Sequence, residues 1–221
     1  MAETERSLRH AIVRVDGANW VEALTTPLDR EATSLLRAWF DLGRPAVARG
    51  TTGRSPRVSV SLGVAFPPSR GRLRLAFSVG REAIRSVDPP PRLRAVIGCA
   101  PADWRQGLTR LEQEAQLKGL SFHTFGSLAW QFLTTMSYIT ARSDIDLLLY
   151  PRTEAALEDG VALLRTWQAS QEVHADGEIV LPDGRAVAWR EWDQRASLVL
   201  TKGPDGVALA SRRELLGVFA S

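Results

Sequence analysis

An otherwise apolar strand in this chain carries two aspartates on one face. The segment is Ser143-Asp144-Ile145-Asp146-Leu147-Leu148-Leu149, and Pro151 closes it. Alternation along a strand puts Asp144 and Asp146 on the same side, roughly 6–7 Å apart along the backbone. Ile145, Leu147 and Leu149 then face a core. Two such carboxylates repel each other and resist desolvation, and a divalent cation would offset that cost. One helix upstream stands Phe125-Gly126-Ser127. Gly126 lets the backbone pass close to a ligand, and Ser127 can cap the helix that follows. The free N–H groups at that helix start suit a phosphate. A phosphate cradle facing a carboxylate pair is the layout of metal-assisted phosphoryl or nucleotidyl transfer.

Each motif alone has a plain reading: Asp-x-Asp as two solvated charges, Gly-Ser as a common turn. Their order is more specific. Strand, Gly-Ser, amphipathic helix, short loop and Asp-x-Asp strand together resemble the polymerase-beta-like nucleotidyltransferase fold. The expected fold class is therefore α+β (α/β), a nucleotidyltransferase-like mixed sheet with flanking helices, preceded by a smaller α/β N-terminal domain. The clearest break is Asp88-Pro89-Pro90-Pro91-Arg92, since three prolines continue neither a helix nor a central strand. It separates residues 1–87, read as a substrate- or partner-binding domain, from residues 93–221, read as the catalytic domain.

The flanking elements follow from periodicity. Residues 9–15 read as a strand and 28–41 as a helix ending before Gly43 and Pro45. Val58, Val60, Leu62, Val64 and Phe66 alternate with small residues, and Leu73, Leu75, Phe77 and Val79 with Arg72, Arg74, Ala76 and Ser78. Together they predict a hairpin. Leu93–Gly98 reads as a strand, 103–118 as a helix closed by Gly119, and Leu120–Phe125 as the strand entering Gly126. Leu128, Phe132 and Met136 predict a buried helix face. Thr153 caps a further helix with Leu157, Val161, Leu164 and Trp167 inward. Residues 176–181 and 186–191 read as a hairpin across Asp183-Gly184, followed by a second hairpin at Gly203–Gly206 and a short helix near Leu215.

Metal-assisted nucleotidyl transfer usually uses three carboxylates around its ions. The third belongs on a strand beside Asp144 and Asp146, and residues 176–181 are the natural neighbour. Asp176 and Glu178 share one face of it. Glu178 is favoured because it starts the apolar run; Glu191 and Asp176 are the alternatives. Arg142, just before the aspartate strand, could clamp a phosphate, as could Arg190 or Lys202. His123 reads as a structural histidine.

Composition narrows the class. Hydrophobic residues make up 44% and charged residues 24%, ordinary for a globular protein. No apolar run is long enough to cross a bilayer, and the polar start has no signal-peptide core. Cys99 is the only cysteine, which excludes an intramolecular disulfide and disfavours a cysteine zinc site. A cytoplasmic location is expected. Residues 1–93 carry 15 Arg against 9 acidic residues, a net of +6, while the remainder carries 13 basic against 16 acidic, a net of −3. A basic half beside an acidic catalytic half suits an anionic partner. There is no Gly-x-Ser-x-Gly, no Walker loop and no His-Glu-x-x-His.

Three stretches narrow the resemblance: Phe125-Gly126-Ser127-Leu128-Ala129-Trp130-Gln131, then Ala141-Arg142-Ser143-Asp144-Ile145-Asp146-Leu147-Leu148, then Asp176-Gly177-Glu178 through Ala186-Val187-Ala188-Trp189-Arg190-Glu191. They resemble the malonate decarboxylase holo-acyl-carrier-protein synthases, the phosphoribosyl-dephospho-CoA transferases. The match is close over residues 120–200. It implies transfer of the prosthetic group from 2'-(5''-triphosphoribosyl)-3'-dephospho-CoA to a serine of the acyl-carrier subunit, with release of pyrophosphate. That chemistry fits the residue reading, in which Asp144 and Asp146 are catalytic, Mg2+ (or Mn2+) is held by Asp144, Asp146 and Glu178, and phosphate is bound by Gly126, Ser127 and Arg142. Neither a membrane nor nucleic acid is an expected partner. The carrier would be acidic, which gives the basic N-terminal half a partner. The alternative is an adenylyltransferase acting on another protein or a small molecule.

Overall fold

The computed structural model describes residues 8–49, 59–203 and 206–220. The chain divides into two compact units. One comprises Leu8–Pro90 with Leu133–Ser137, and the other Pro91–Phe132 with the chain from Tyr138 onward.

The first unit is an antiparallel sheet with one helix. Its elements are β1 (Ile12–Val15), α1 (Arg30–Asp41), β2 (Ala46–Ala48), β3 (Ser59–Ala65), β4 (Arg74–Gly80) and β5 (Ile84–Asp88), in sheet order β4-β3-β2-β1-β5. Asp29 caps α1, accepting the Ala32 N–H at 2.7 Å, and the helix buries Ala32, Leu36, Trp39 and Phe40. Trp20, Phe40 and Phe77 meet edge to face with centroids 5.2–6.1 Å apart, the geometry aromatic quadrupoles favour. β3 and β4 form the expected hairpin, closed by a turn at Pro68–Arg70 and Gly71. Val58, expected to begin it, lies outside the described residues.

The second unit carries α2 (Leu93–Val96), α3 (Ala102–Leu117), β6 (Phe122–Thr124), α4 (Gly126–Thr134), β7 (Ile145–Leu149), α5 (Glu154–Gln168), β8 (Ala175–Val180), β9 (Ala186–Ala188), α6 (Trp189–Asp193), β10 (Leu198–Gly203), β11 (Gly206–Ser211) and α7 (Arg212–Leu216). Its sheet runs β11-β10-β9-β8-β7-β6. Only β7 and β8 are parallel, as a strand–helix–strand crossover through α5 requires. The sheet is thus mixed, with Ile145, Leu147 and Leu149 in a core shared with Leu108, Leu111, Leu157, Val161, Leu164 and Trp167. The Trp167 indole ties α5 to α3 by donating to the Gly107 carbonyl at 2.7 Å. No helix among the described residues is long and apolar enough to cross a membrane.

Three local expectations are corrected. Leu93–Gly98 is helix and 3-10 turn, not strand: Leu93 and Val96 are both fully buried at helical spacing. Helix α4 stops at Thr134, so Met136 lies beyond it, and Phe132 is exposed rather than core. The strand expected over 186–191 ends at Ala188. Trp189 and Trp192 are then buried three residues apart on α6, a spacing only a helix puts on one face.

Candidate active site

The aspartates are placed by β7 and its neighbours. Asp144 precedes β7 and is exposed, whereas Asp146 lies within it, half-buried. β8 runs parallel beside β7, pairing Asp146 with Asp176 and Leu148 with Glu178. One carboxylate oxygen from each of Asp144, Asp146 and Asp176 lies within 4.8 Å of the others. Asp176 also accepts the Gly177 N–H at 2.8 Å. Gly177 has φ +148°, and a Cβ there would collide with the Leu147 carbonyl, so the parallel strands approach closely only with glycine.

On the other side of β7, β6 runs antiparallel, and the Phe125 N–H donates to the Asp146 carbonyl at 3.2 Å. That bond carries the chain to Gly126 beside the Asp146 side chain. Gly126 has φ +61°, and a Cβ built there would overlap the Asp146 carboxylate. Glycine is therefore required by both conformation and space. Helix α4 begins at Gly126, so Ser127 lies in its first turn, half-buried, and is not the cap. Arg142 sits in the exposed turn ahead of Asp144.

Glu178 is not a member of that three-carboxylate cluster. It stands two residues further along β8, beside Leu148, is 6% exposed, and accepts Lys202 Nζ at 2.9 Å. A buried carboxylate needs such a partner, and β10 supplies it. Asp176, rather than Glu178, is the third carboxylate within 4.8 Å of Asp144 and Asp146. Glu191 is on α6, where its Oε1 accepts the Leu200 N–H at 2.8 Å. Of the candidate phosphate clamps, Lys202 is paired with Glu178, and Arg190 is bonded to the Ala175 carbonyl and to Gln168. Arg142 has no such engagement among the described residues.

The sequence reading passed over Tyr150, at the end of β7. Its ring meets His123 edge to face at 5.2 Å. The residue as a whole is 38% exposed, yet partial desolvation of the phenol, and secondly the Glu178 carboxylate, push it up to about 12. Because the folded value lies above the ordinary 10, the fold favours the neutral phenol; that contribution is fully present below pH 10 and is lost as pH rises through about 12. Absorbance titration of a Tyr138→Phe variant should show the remaining tyrosine ionising near 12, with Glu178→Gln lowering that midpoint. A midpoint at 10 in the parent would place the phenol in open solvent.

Comparison with known proteins agrees along most of the chain. Residues 8–90 match the family described as Phosphoribosyl-dephospho-CoA transferase MdcG N-terminal domain, and residues 92–213 match its C-terminal domain. The chain is 40% identical over 212 residues to the phosphoribosyl-dephospho-CoA transferase of Xanthomonas euvesicatoria pv. vesicatoria, covering 95% of this chain and 97% of that one. It is 36% identical over 208 residues to that of Bradyrhizobium diazoefficiens, covering 94% and 92%. With that of Pseudomonas putida the figure is 32% over 170 residues, covering 76% and 79%. No solved structure matches. Two domain matches in series and relatives aligned over nearly their full length establish that this chain belongs to the phosphoribosyl-dephospho-CoA transferase family.

Proposed function

We propose that this protein transfers the phosphoribosyl-dephospho-CoA group from 2'-(5''-triphosphoribosyl)-3'-dephospho-CoA to a serine of the acyl-carrier subunit of malonate decarboxylase. The serine oxygen forms a bond to the phosphorus nearest the ribose, the bond from that phosphorus to the terminal diphosphate breaks, and pyrophosphate leaves. The observation that carries this reading is the convergence of Asp144, Asp146 and Asp176 oxygens within 4.8 Å, against the glycine that opens α4. An all-oxygen, triply anionic donor set fits Mg2+ or Mn2+. Asp144, Asp146 and Asp176 would hold the metal. When bound, such an ion neutralises phosphoryl charge and acidifies the attacking hydroxyl.

The chain's own groups do the rest. The backbone N–H groups of the first turn of α4 bind leaving phosphate oxygens, favoured by the helix dipole, and Gly126 allows that approach. Ser127 adds a hydroxyl in the same turn. Arg142, exposed two residues ahead of Asp144, supplies a neutralising guanidinium. Donor identity separates this reading from transfer of an adenylyl group. Purified enzyme, carrier and Mg2+ should release pyrophosphate and add mass to the carrier with the triphosphoribosyl donor, and not with ATP. The converse result would favour the adenylyltransferase.

The N-terminal domain supplies binding in this scheme. Arg74 opens β4 and Arg72 stands in the turn before it; both are exposed, within the stretch of net charge +6. Reversing both to Glu should raise the carrier KM about tenfold at low ionic strength and flatten its salt dependence, with kcat kept. An unchanged KM and salt slope would make the arginine excess compositional.

A further inference from the structure

We propose that Arg190, acting with Gln168, is a positioning residue for Asp176; this rests on reading the three aspartates as a cation site. The reason lies at the edge of β8. β9 pairs with β8 only from Glu178 to Val180, because the chain turns into α6 after Ala188. The first residues of β8, including Asp176, therefore have β7 on one side and no strand on the other. Side chains take the missing strand's place. The Ala175 carbonyl accepts Arg190 Nε at 3.2 Å, Arg190 Nη2 at 2.9 Å and Trp189 Nε1 at 3.2 Å. The Ala175 N–H donates to Gln168 Oε1 at 2.6 Å, and the same oxygen accepts Arg190 Nη2 at 2.8 Å. Gln168 Nε2 in turn donates to the Val173 carbonyl at 3.0 Å. The guanidinium is steadied over the Trp189 ring, 4.6 Å from its centroid.

Both peptide groups of a fully buried residue are thus held by one brace, immediately before Asp176. On the β7 side, the His174 carbonyl accepts the Ile145 N–H at 2.8 Å, so the brace also sets where β8 meets the strand bearing Asp146. A carbonyl holding a guanidinium is a charge-assisted contact, and its loss lets the strand start drift. A cation site built from three separate side chains tolerates little drift. Arg190 acts through the backbone and touches no substrate.

Mn2+ binding to the full-length protein, read as loss of the free-ion paramagnetic resonance signal, tests this beside steady-state kinetics. Arg190→Gln should lower Mn2+ affinity about 10- to 100-fold and reduce kcat, with the donor KM nearly unchanged at saturating Mn2+. Arg190→Lys keeps charge and one donor, so it should fall between, and it carries the test should the glutamine variant not fold. A folded variant with wild-type Mn2+ affinity overturns the proposal; if its donor KM rises instead, Arg190 binds donor phosphate directly. Wild-type protein that takes up no Mn2+, or an Asp176→Asn variant that binds it as the wild type does, overturns the cation-site reading itself, and the positioning role with it.

Discussion

Asp146→Asn should cut turnover roughly a thousandfold, about 4 kcal/mol of barrier, while the protein stays folded. The substitution keeps the size of the side chain and most of its hydrogen-bonding capacity. It removes one of three charges converging within 4.8 Å, so the ion is held by two carboxylates and the phosphoryl charge is less neutralised. Asp144→Asn should behave alike. Thermal melts without metal should hold or rise, because carboxylate repulsion is relieved. With saturating Mg2+ the order should reverse, since the parent, with three carboxylates, gains more binding free energy from the ion than the variant does. Equal turnover in the variant would remove Asp146 from the chemistry.

Gly126→Ala should be nearly as damaging, for a different reason. The position has φ +61°, which costs an L-residue about 1 kcal/mol, and its new methyl group would occupy the space of the Asp146 carboxylate. Either the carboxylate swings away from Asp144 and Asp176, or the start of α4 moves off β7. Both separate the phosphate cradle from the acidic cluster. A double-mutant cycle tells this steric coupling from simple destabilisation. Asp146→Ala vacates the contested space, so the pair with Gly126→Ala should be more stable than the sum of the singles by about 1–2 kcal/mol. Additive melts would mean that the two residues do not compete for space.

The juxtaposition of the two aspartates with Gly126 was legible in the sequence because its signals are local. An alternating apolar strand shows which way Asp144 and Asp146 point, and a glycine before a helix marks a close approach. The place of Asp176 in the cluster was harder to read because it depends on the register between parallel strands joined across α5. A shift of two residues would have brought Glu178 beside Asp146 instead. Gln168, Trp189 and Arg190 contact the backbone at the start of β8, and such contacts leave no spacing pattern. Lys202 pairing with Glu178 across β9 is equally non-local. Ala186-Val187-Ala188-Trp189-Arg190-Glu191 alternates as a strand does, and only the burial of Trp192 beside Trp189 shows that its second half is helical. Leu93–Val96 misled in the same way: a short apolar run has no decisive period, and burial of its first and fourth residues settles it as helix.

The central claim is that the Asp144, Asp146 and Asp176 cluster holds a divalent ion for transfer of the prosthetic group. Its most direct test follows the intact mass of the carrier in a single turnover with the triphosphoribosyl donor, first in chelator and then after Mg2+ is restored. The account predicts no mass gain in chelator, full phosphoribosyl-dephospho-CoA addition once Mg2+ is returned, and almost none with Asp176→Asn under either condition. Full addition in chelator, or by the Asp176→Asn enzyme, would contradict it.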